Sequence, residues 1–165
     1  MTDEIEEAPD TAVGIDSFKA LGFFPADHAA AEGGKVYANG AYWTVLRFRE
    51  FPAVLSGMTL VAVLQQPFHA YLADHTFAMR MQDSDGNNLP AVQVQGQFRA
   101  TLGPDAKYGD PGVLPFAVPL HGLKFERPGR YAFVFSVDDQ ELARYPFQVI
   151  QILAPKGPGA AGAPS

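Results

Sequence analysis

The sequence has no cysteine, a single tryptophan and no apolar run long enough to cross a membrane. The absence of cysteine excludes disulfides, thiolate metal sites and thiol nucleophiles, and it fits a reducing compartment. A membrane span needs about 18 or more consecutive apolar residues, and a secretory leader begins with basic residues, whereas this N-terminus is acidic. We therefore expect a cytoplasmic protein that does not associate with a membrane.

Positive charge is also scarce, and the excess negative charge is concentrated at the N-terminus. The first 17 residues carry six acids and no base, and the rest of the 165-residue chain balances 12 acids with 12 bases. A near-neutral body lacks the electrostatic field that nucleic acids and anionic lipid surfaces require. The sequence therefore disfavours nucleic acid and membrane as partners. It favours a protein partner of unknown identity and leaves the oligomeric state open.

Composition divides the chain into one domain and two tails. Residues 1–17 are acidic and poor in large apolar side chains, and residues 154–165 (APKGPGAAGAPS) are mainly Pro, Gly and Ala. Neither segment has enough apolar surface to pack, so both are predicted to be disordered. Residues 18–153 form the predicted domain, which is long enough to bury a core without disulfides.

Alternation of apolar and polar residues with period two predicts a first β-hairpin. In residues 91–100, Val92, Val94 and Phe98 fall on one face and glutamines fall on the other. Residues 76–82 alternate in the same way, and the intervening segment DSDGNN suits a tight turn.

Three further segments also have the composition of strands. Residues 131–149 predict a second hairpin, with its turn at Asp138 and Asp139. Residues 58–66 are apolar on both faces, as in a central strand. Residues 114–120 alternate but contain two prolines, which predicts an edge strand.

Two segments near the N-terminus complete the prediction. Residues 35–46 have strand composition with a bend at Gly40, and residues 26–32 (ADHAAAE) alone have the propensity for a short helix. Seven to nine strands with at most one short helix predict an all-β fold. We expect an antiparallel two-sheet β-sandwich, immunoglobulin-like or similar, with a β-barrel as the alternative.

Five short elements carry a resemblance to a known family. They are GGK at residues 33–35, GAYW at 40–43, FP at 51–52, DSDG at 83–86 and PGRY at 128–131. Over residues 18–149 the chain resembles a bacterial family of uncharacterised proteins, a domain of unknown function. The resemblance implies an all-β bacterial domain and supplies no activity, cofactor or catalytic residue.

No catalytic, metal or cofactor site is predicted. The four histidines are spaced too widely for a compact ligand motif: His28, His69, His75 and His121. The DSDGNN turn begins like a calcium loop, but its glycine stands in the wrong place and the closing glutamate is missing. Calcium could still bridge this turn and the Asp138–Asp139 turn if the two met at one end of the sandwich. No serine stands in a G-x-S-x-G motif.

Four aromatic residues in predicted loops form the candidate interaction surface. They are Phe48 and Phe51 in RFREFP and Phe68 and Tyr71 in PFHAYLADH. Loops at the end of a sandwich commonly carry binding surfaces. The sequence therefore favours a non-enzymatic protein-interaction or assembly module. The first alternative is a domain that binds calcium, carbohydrate or a small molecule through its end loops, and the second is a carboxylate-dependent hydrolase.

Overall fold

The computed structural model describes residues 17–101 and 103–154, which contain nine strands. In chain order they are β1 (Lys19–Glu32), β2 (Lys35–Ala41), β3 (Val45–Phe48), β4 (Ala53–Gln66), β5 (His75–Asp83), β6 (Asn88–Phe98), β7 (Gly112–Phe125), β8 (Gly129–Val137) and β9 (Gln140–Gln151). A 3-10 turn, Phe68–Ala70, connects β4 to β5. Within the described residues there is no helix of the length and apolarity that a membrane span requires. Residues 1–16 and 155–165, which hold nearly all of the two predicted tails, lie outside the described residues.

The strands form two sheets that pack face to face around one core. The four-stranded sheet has the order β2-β1-β4-β7, and the five-stranded sheet has the order β3-β9-β8-β5-β6. Neighbouring strands are antiparallel except for β3 and β9, which are parallel. The predicted all-β two-sheet sandwich is therefore confirmed, with one parallel pair in addition.

An aromatic core fills the space between the sheets. The completely buried large side chains include Leu60, Met79, Met81, Phe133 and Phe135. The rings of Phe133 and Phe147 stack with their centroids 4.6 Å apart, and Trp43 meets Phe147 edge to face at 5.5 Å. Burial of each such side chain contributes about 1.5–3 kcal/mol, so this cluster holds the two sheets together.

Both predicted hairpins are confirmed. In the β5–β6 turn, the Asp83 carboxylate accepts the backbone N–H groups of Asp85 and Asn87, each at 2.9 Å. In the β8–β9 turn, Asp138 and Asp139 have φ angles of 48° and 65°. A two-residue type I′ turn requires positive φ at both positions, and Asp tolerates it.

The helix predicted at residues 26–32 is wrong, because this segment is the second half of β1. It pairs with β2 as far as Glu32 opposite Lys35. Gly33 and Gly34, with φ angles of 58° and 73°, close a two-residue turn between the strands. A helix of barely two turns forms too few hydrogen bonds to compete with a paired hairpin.

The strand predicted at residues 35–46 is two strands in different sheets. β2 ends and β3 begins on either side of residues 42–44, which cross from one sheet to the other. The predicted bend at Gly40 is confirmed by its φ of 61°. A Cβ at this position would collide with the Asp27 side chain, so only glycine fits.

β4 and β7 have the positions that the sequence predicts. β4 lies inside the four-stranded sheet, and residues 58–62 are buried on both of its faces. β7 is the edge of the same sheet. Pro115 and Pro119 are tolerated there because an edge strand pairs on one side only.

Replacement of Phe133 by alanine is expected to lower the free energy of unfolding by about 3–5 kcal/mol, because the ring is completely buried. Phe98→Ala is expected to cost less, since Phe98 is only partly buried. Denaturant melts measure both changes. Tyr108→Ala is the control: its side chain is 93% exposed, and a change within about 0.5 kcal/mol is expected. A loss below about 1 kcal/mol for Phe133→Ala would contradict the core assignment.

Candidate functional site

The four predicted surface residues lie in two pairs at opposite ends of the sandwich. β4 begins two residues after Phe51 and ends two residues before Phe68. This strand has 14 residues, and a strand of that length spans roughly 45 Å. Phe48 and Phe51 are therefore far from Phe68 and Tyr71, and the four side chains do not form one surface.

Phe48 and Phe51 complete the core at their end of the sandwich. Both are partly buried, and their rings meet edge to face with centroids 6.0 Å apart. The Phe48 ring also lies 5.9 Å from that of the buried Phe125. This pair contributes to packing and offers little exposed apolar surface.

Phe68 and Tyr71, both half-buried, lie at the other end, where exposed apolar side chains surround them in the chain. The Phe68 ring lies 5.9 Å from the Tyr71 ring and 4.6 Å from the Tyr108 ring. Tyr108 is 93% exposed, Leu72 is 64% exposed and Val113 is 52% exposed. We call Phe68, Tyr71, Leu72, Tyr108 and Val113 the apolar end surface. Contiguous exposed apolar side chains commonly mark an interaction site.

The backbone holds Leu72 in an unfavourable conformation. Its φ is 65°, in the left-handed region that costs a residue other than glycine about 1–2 kcal/mol. The N–H of Leu72 donates to the Ala100 carbonyl at 3.1 Å, and the neighbouring Tyr71 hydroxyl lies against Gly112 at the start of β7. These contacts keep a large apolar side chain in solvent at a strained position, as is often found at functional sites.

His75 connects the apolar end surface to the β8–β9 turn. Its Nδ1 lies 2.8 Å from the Asp138 carboxylate, and its Nε2 lies 2.9 Å from the Ala70 carbonyl oxygen. Both partners are acceptors, so both hydrogen bonds form only when both ring nitrogens carry a proton. The other Asp138 oxygen accepts the N–H of Thr76 at 2.9 Å. The imidazolium form therefore fixes the 3-10 turn to the five-stranded sheet.

The same contacts shift the pKa values of this pair. Burial opposes a charge on His75, but the hydrogen bonds to Asp138 and Ala70 and the charges of Asp138 and Asp74 outweigh it and raise the His75 pKa above 6.5. Burial also opposes ionisation of Asp138, but hydrogen bonds from Thr76 and His75 lower its pKa below 3.8. Asp74 itself is paired with Arg99 through two hydrogen bonds of 2.7 Å.

A cleft of about 550 Å³ lies between β6 and β7 at the end opposite to the apolar end surface. Its lining consists of Leu89, Pro90, Ala91, Gly122, Phe125 and Tyr131, with charged groups from Asp83, Lys124, Glu126 and Arg127. The Tyr131 hydroxyl, whose pKa is raised by burial, donates to the Arg127 carbonyl oxygen at 2.6 Å. Lys124 pairs with Glu126 at 3.0 Å. The volume lies in the range of small-ligand sites.

The hypothesis of calcium bound between two turns is wrong, because the turns lie at opposite ends of the five-stranded sheet. β5 and β8 are antiparallel, with Asp83 opposite Tyr131 and Phe77 opposite Val137, immediately before Asp138. In the part of the chain that the structure describes, no three His, Asp or Glu side chains are grouped so that they could hold a metal ion.

Asp83 and Glu126 both line the cleft, as a hydrolytic pair of carboxylates would. One member of such a pair must have a raised pKa in order to donate a proton. Hydrogen bonds from Asn87 instead lower the pKa of Asp83 below 3.8. The Glu126 carboxylate forms an ion pair with the Lys124 ammonium group. The geometry therefore favours ion pairing at the rim over general acid catalysis by Asp83.

Sequence reasoning missed Leu72, Tyr108 and the pair of His75 and Asp138. Tyr108 is an isolated large side chain in a segment of turn residues, GPDAKYGDPG, and Leu72 stands beside Tyr71 in PFHAYLADH. Neither has strand alternation around it. The signal that could have found them is a large apolar side chain in a segment without strand alternation. His75 and Asp138 are 63 residues apart, so no local spacing connects them.

A family model matches residues 21–150, which is most of the chain. The chain belongs to DUF6941, a family of unknown function. The resemblance to a family of uncharacterised proteins is therefore confirmed.

No curated protein matches this DUF6941 member. Its fold is similar to the crystal structure of the C-terminal domain of wzt, with 13% identity, a TM-score of 0.41 and coverage of 86% of this chain and 78% of that one. It is also similar to the Pseudomonas fluorescens alkylpurine DNA glycosylase AlkC bound to DNA containing an abasic site analog, with 12% identity, a TM-score of 0.36 and coverage of 81% and 30%. Similarities at this level carry no argument about function.

Protonation of His75 is expected to stabilise the fold. Folding raises the His75 pKa above 6.5. The protonated ring therefore makes its full contribution to the free energy of unfolding below pH 6.5, and that contribution is lost as the pH rises through the folded-state pKa. Asp138→Asn removes the carboxylate and is expected to flatten this fall in the free energy of unfolding. Urea melts between about pH 6 and pH 8 measure the effect. Asp139→Asn is the control, and an equal pH dependence in both variants would contradict the assignment.

Replacement of Gln66 by methionine is expected to stabilise the protein. Gln66 is completely buried at the end of β4, and neither of its amide atoms has a hydrogen-bond partner among the described residues. An unpaired buried amide costs about 1–3 kcal/mol, and methionine has a similar volume. Thermal and denaturant unfolding should show a gain of about 1–2 kcal/mol. Gln82→Met, at a partly exposed amide that donates to Asn88, is the control and should show no gain.

Proposed function

We propose that the protein is a non-enzymatic interaction module that binds a partner protein through the apolar end surface. The observation that carries the proposal is Leu72, a strained residue whose apolar side chain is 64% exposed. It directly follows Tyr71, which belongs to the aromatic group of Phe68, Tyr71 and Tyr108. A purely structural role does not account for this combination. Asn or Gly at the same position would relieve the strain, and little packing would be lost.

The composition of this end supports the proposal. Exposed Tyr and Leu side chains supply apolar area, and tyrosine is among the residues that dominate binding energy at protein interfaces. Charged residues adjoin the apolar ones in the chain: Asp74, which pairs with Arg99, stands two residues after Leu72, and Lys107 and Asp110 stand on either side of Tyr108. An apolar centre with a polar rim is the usual anatomy of a protein–protein interface.

The 3-10 turn that carries Phe68 is positioned before any partner arrives. The hydrogen bond from His75 to Ala70 fixes the turn, and the contact of Tyr71 with Gly112 fixes its far end. A surface that is already ordered loses less conformational entropy on binding than a mobile loop does. The apolar end surface therefore has both the chemistry and the rigidity that a binding site needs.

The proposal predicts that two substitutions on the apolar end surface weaken binding and leave the fold intact. A photo-crosslinking amino acid in place of Tyr108 identifies the partner in cells, and calorimetry on the purified pair measures the affinity. Leu72→Asn and Tyr108→Ser are each expected to weaken binding at least about ten-fold, which corresponds to the loss of one interface anchor. Leu72→Asn should not lower the free energy of unfolding, because Asn tolerates the left-handed region.

The matched controls are Val54→Asn and Tyr37→Ser, at apolar residues that are 58% and 56% exposed elsewhere on the molecule. Both are expected to keep the full affinity. Unchanged affinity in Leu72→Asn and Tyr108→Ser would overturn the proposal, and so would equal losses in the controls. Stability measured beside affinity separates a lost contact from a lost fold.

A further inference from the structure

β6 is an edge strand of the five-stranded sheet, and its only neighbour there is β5. From Gln93 to Phe98 the ladder with β5 continues without a shift in register. Burial alternates strictly over the same stretch, because residues 93, 95 and 97 are exposed and residues 94, 96 and 98 are half-buried. This part of β6 is therefore a regular edge without a bulge.

The hydrogen bonds of β5 decide which backbone groups of β6 face away from the sheet. The N–H of Asp138 donates to the Thr76 carbonyl oxygen at 2.9 Å, so the backbone groups of Thr76 face β8. Residues of an antiparallel strand face its two sides in alternation, so Phe77 faces β6 and bonds to Gly96, which stands opposite. By the same alternation, the N–H and C=O groups of residues 93, 95 and 97 face the free edge. Within the described residues, no turn or loop backbone bonds to them.

This edge lacks the features that keep the other edge strands from pairing. Residues 93–98 (QVQGQF) contain no proline and no charged side chain. By contrast, β7 contains two prolines, β2 contains Lys35, and β3 is only four residues long. Proline, charge and shortness are the usual means by which an edge strand avoids a foreign strand. Residues 93–98 are therefore the stretch of edge where pairing is least opposed.

The exposed side chains of this edge are complementary to a second copy of themselves. Gln93, Gln95 and Gln97 are identical and uncharged, so two copies of the edge do not repel each other. A glutamine amide has both donors and an acceptor, so glutamine can pair with glutamine across a two-fold axis. When the axis passes through the pair formed by Gln95 and its own copy, Gln93 stands opposite Gln97. Only this antiparallel register pairs all three glutamines with glutamines.

We propose that β6 pairs with β6 of a second copy of this chain, antiparallel and centred on Gln95, so that the five-stranded sheets of the two copies join into one continuous sheet. Residues 93, 95 and 97 then exchange about six main-chain hydrogen bonds with the second copy. The glutamine amides add side-chain hydrogen bonds on the outer face. The contact uses none of the residues of the apolar end surface, so it does not depend on the proposed function.

The test begins with sedimentation velocity on the full chain. Because a single pair of strands makes a small interface, a monomer–dimer equilibrium is expected between about 10 µM and about 1 mM. As the dimer forms, hydrogen exchange at the amides of Gln93, Gln95 and Gln97 is expected to slow at least about ten-fold. The amides of Leu72 and Tyr108 are expected to keep their exchange rates.

Exchange of charge at residue 95 tests the register. In Gln95→Lys, and separately in Gln95→Glu, like charges stand opposite each other at the two-fold axis, so each variant alone is expected to dimerise at least about ten-fold more weakly. An equimolar mixture of the two variants is expected to regain the dimer, because opposite charges then meet. Gln148→Lys is the matched control and should dimerise like the unchanged chain. Gln148 is exposed on the same sheet, but it lies in β9, which has a neighbour on each side.

A chain that stays monomeric at about 1 mM would overturn the proposal. Slow exchange of the three edge amides in that monomer would show that another segment of the same chain covers the edge, and rapid exchange would leave the edge to a different protein. Equal dimerisation of Gln95→Lys and Gln148→Lys, or a mixture no better than its components, would place the contact elsewhere and would also overturn it. None of these results bears on Leu72 or Tyr108, so they leave the proposed function untouched.

Discussion

Burial of the aromatic inner face of the five-stranded sheet against β4 is the constraint on which the rest of the structure depends. Phe133 and Phe135 face Leu60 and its neighbours across the core, and all three of these side chains are completely buried. A slip of one residue in any of these strands would turn its apolar side chains to solvent. The core therefore fixes the register of the ladders that contribute side chains to it, and with it the positions of their turns.

The irregular features of the chain lie where this constraint ends. Leu72 lies in the connection between β4 and β5, and residues 90–92 leave the ladder with β5 near the start of β6. Apart from Val92, neither feature adds to the core. Leu72 leaves an apolar side chain exposed to solvent, and residues 90 and 91 leave backbone that β5 does not pair beside the cleft. A rigid sandwich can carry such irregular features at its ends without loss of its core.

The parts of the fold that depend on local pattern could be predicted, and the parts that depend on distant contacts could not. The β5–β6 hairpin follows from alternation around Asp83 and its turn, which lie within one short stretch of chain. Residues 26–32 have helical composition, but pairing with β2 decides their structure, and alanine is compatible with either state. Phe48 and Phe68 both stand in segments that look like loops. Only tertiary packing decides that Phe48 lies against the core and Phe68 lies against the exposed ring of Tyr108.

The four edge strands differ in how they resist the addition of another strand. β3 is only four residues long, and β2 carries Lys35 and a bend at Gly40. β7 has prolines in its first half only. Short edges, charge and proline are the usual means by which sandwiches avoid pairing with foreign strands. Residues 121–125 contain no proline and lie where the facing edge has drawn away. This stretch is interrupted in another way: Gly122 has a φ of 65° and no partner on β4, and Leu120 and Leu123 both face the core on either side of it. A strand that changes phase in this way offers no continuous row of backbone donors, so an irregular backbone does here what proline does in the first half of β7.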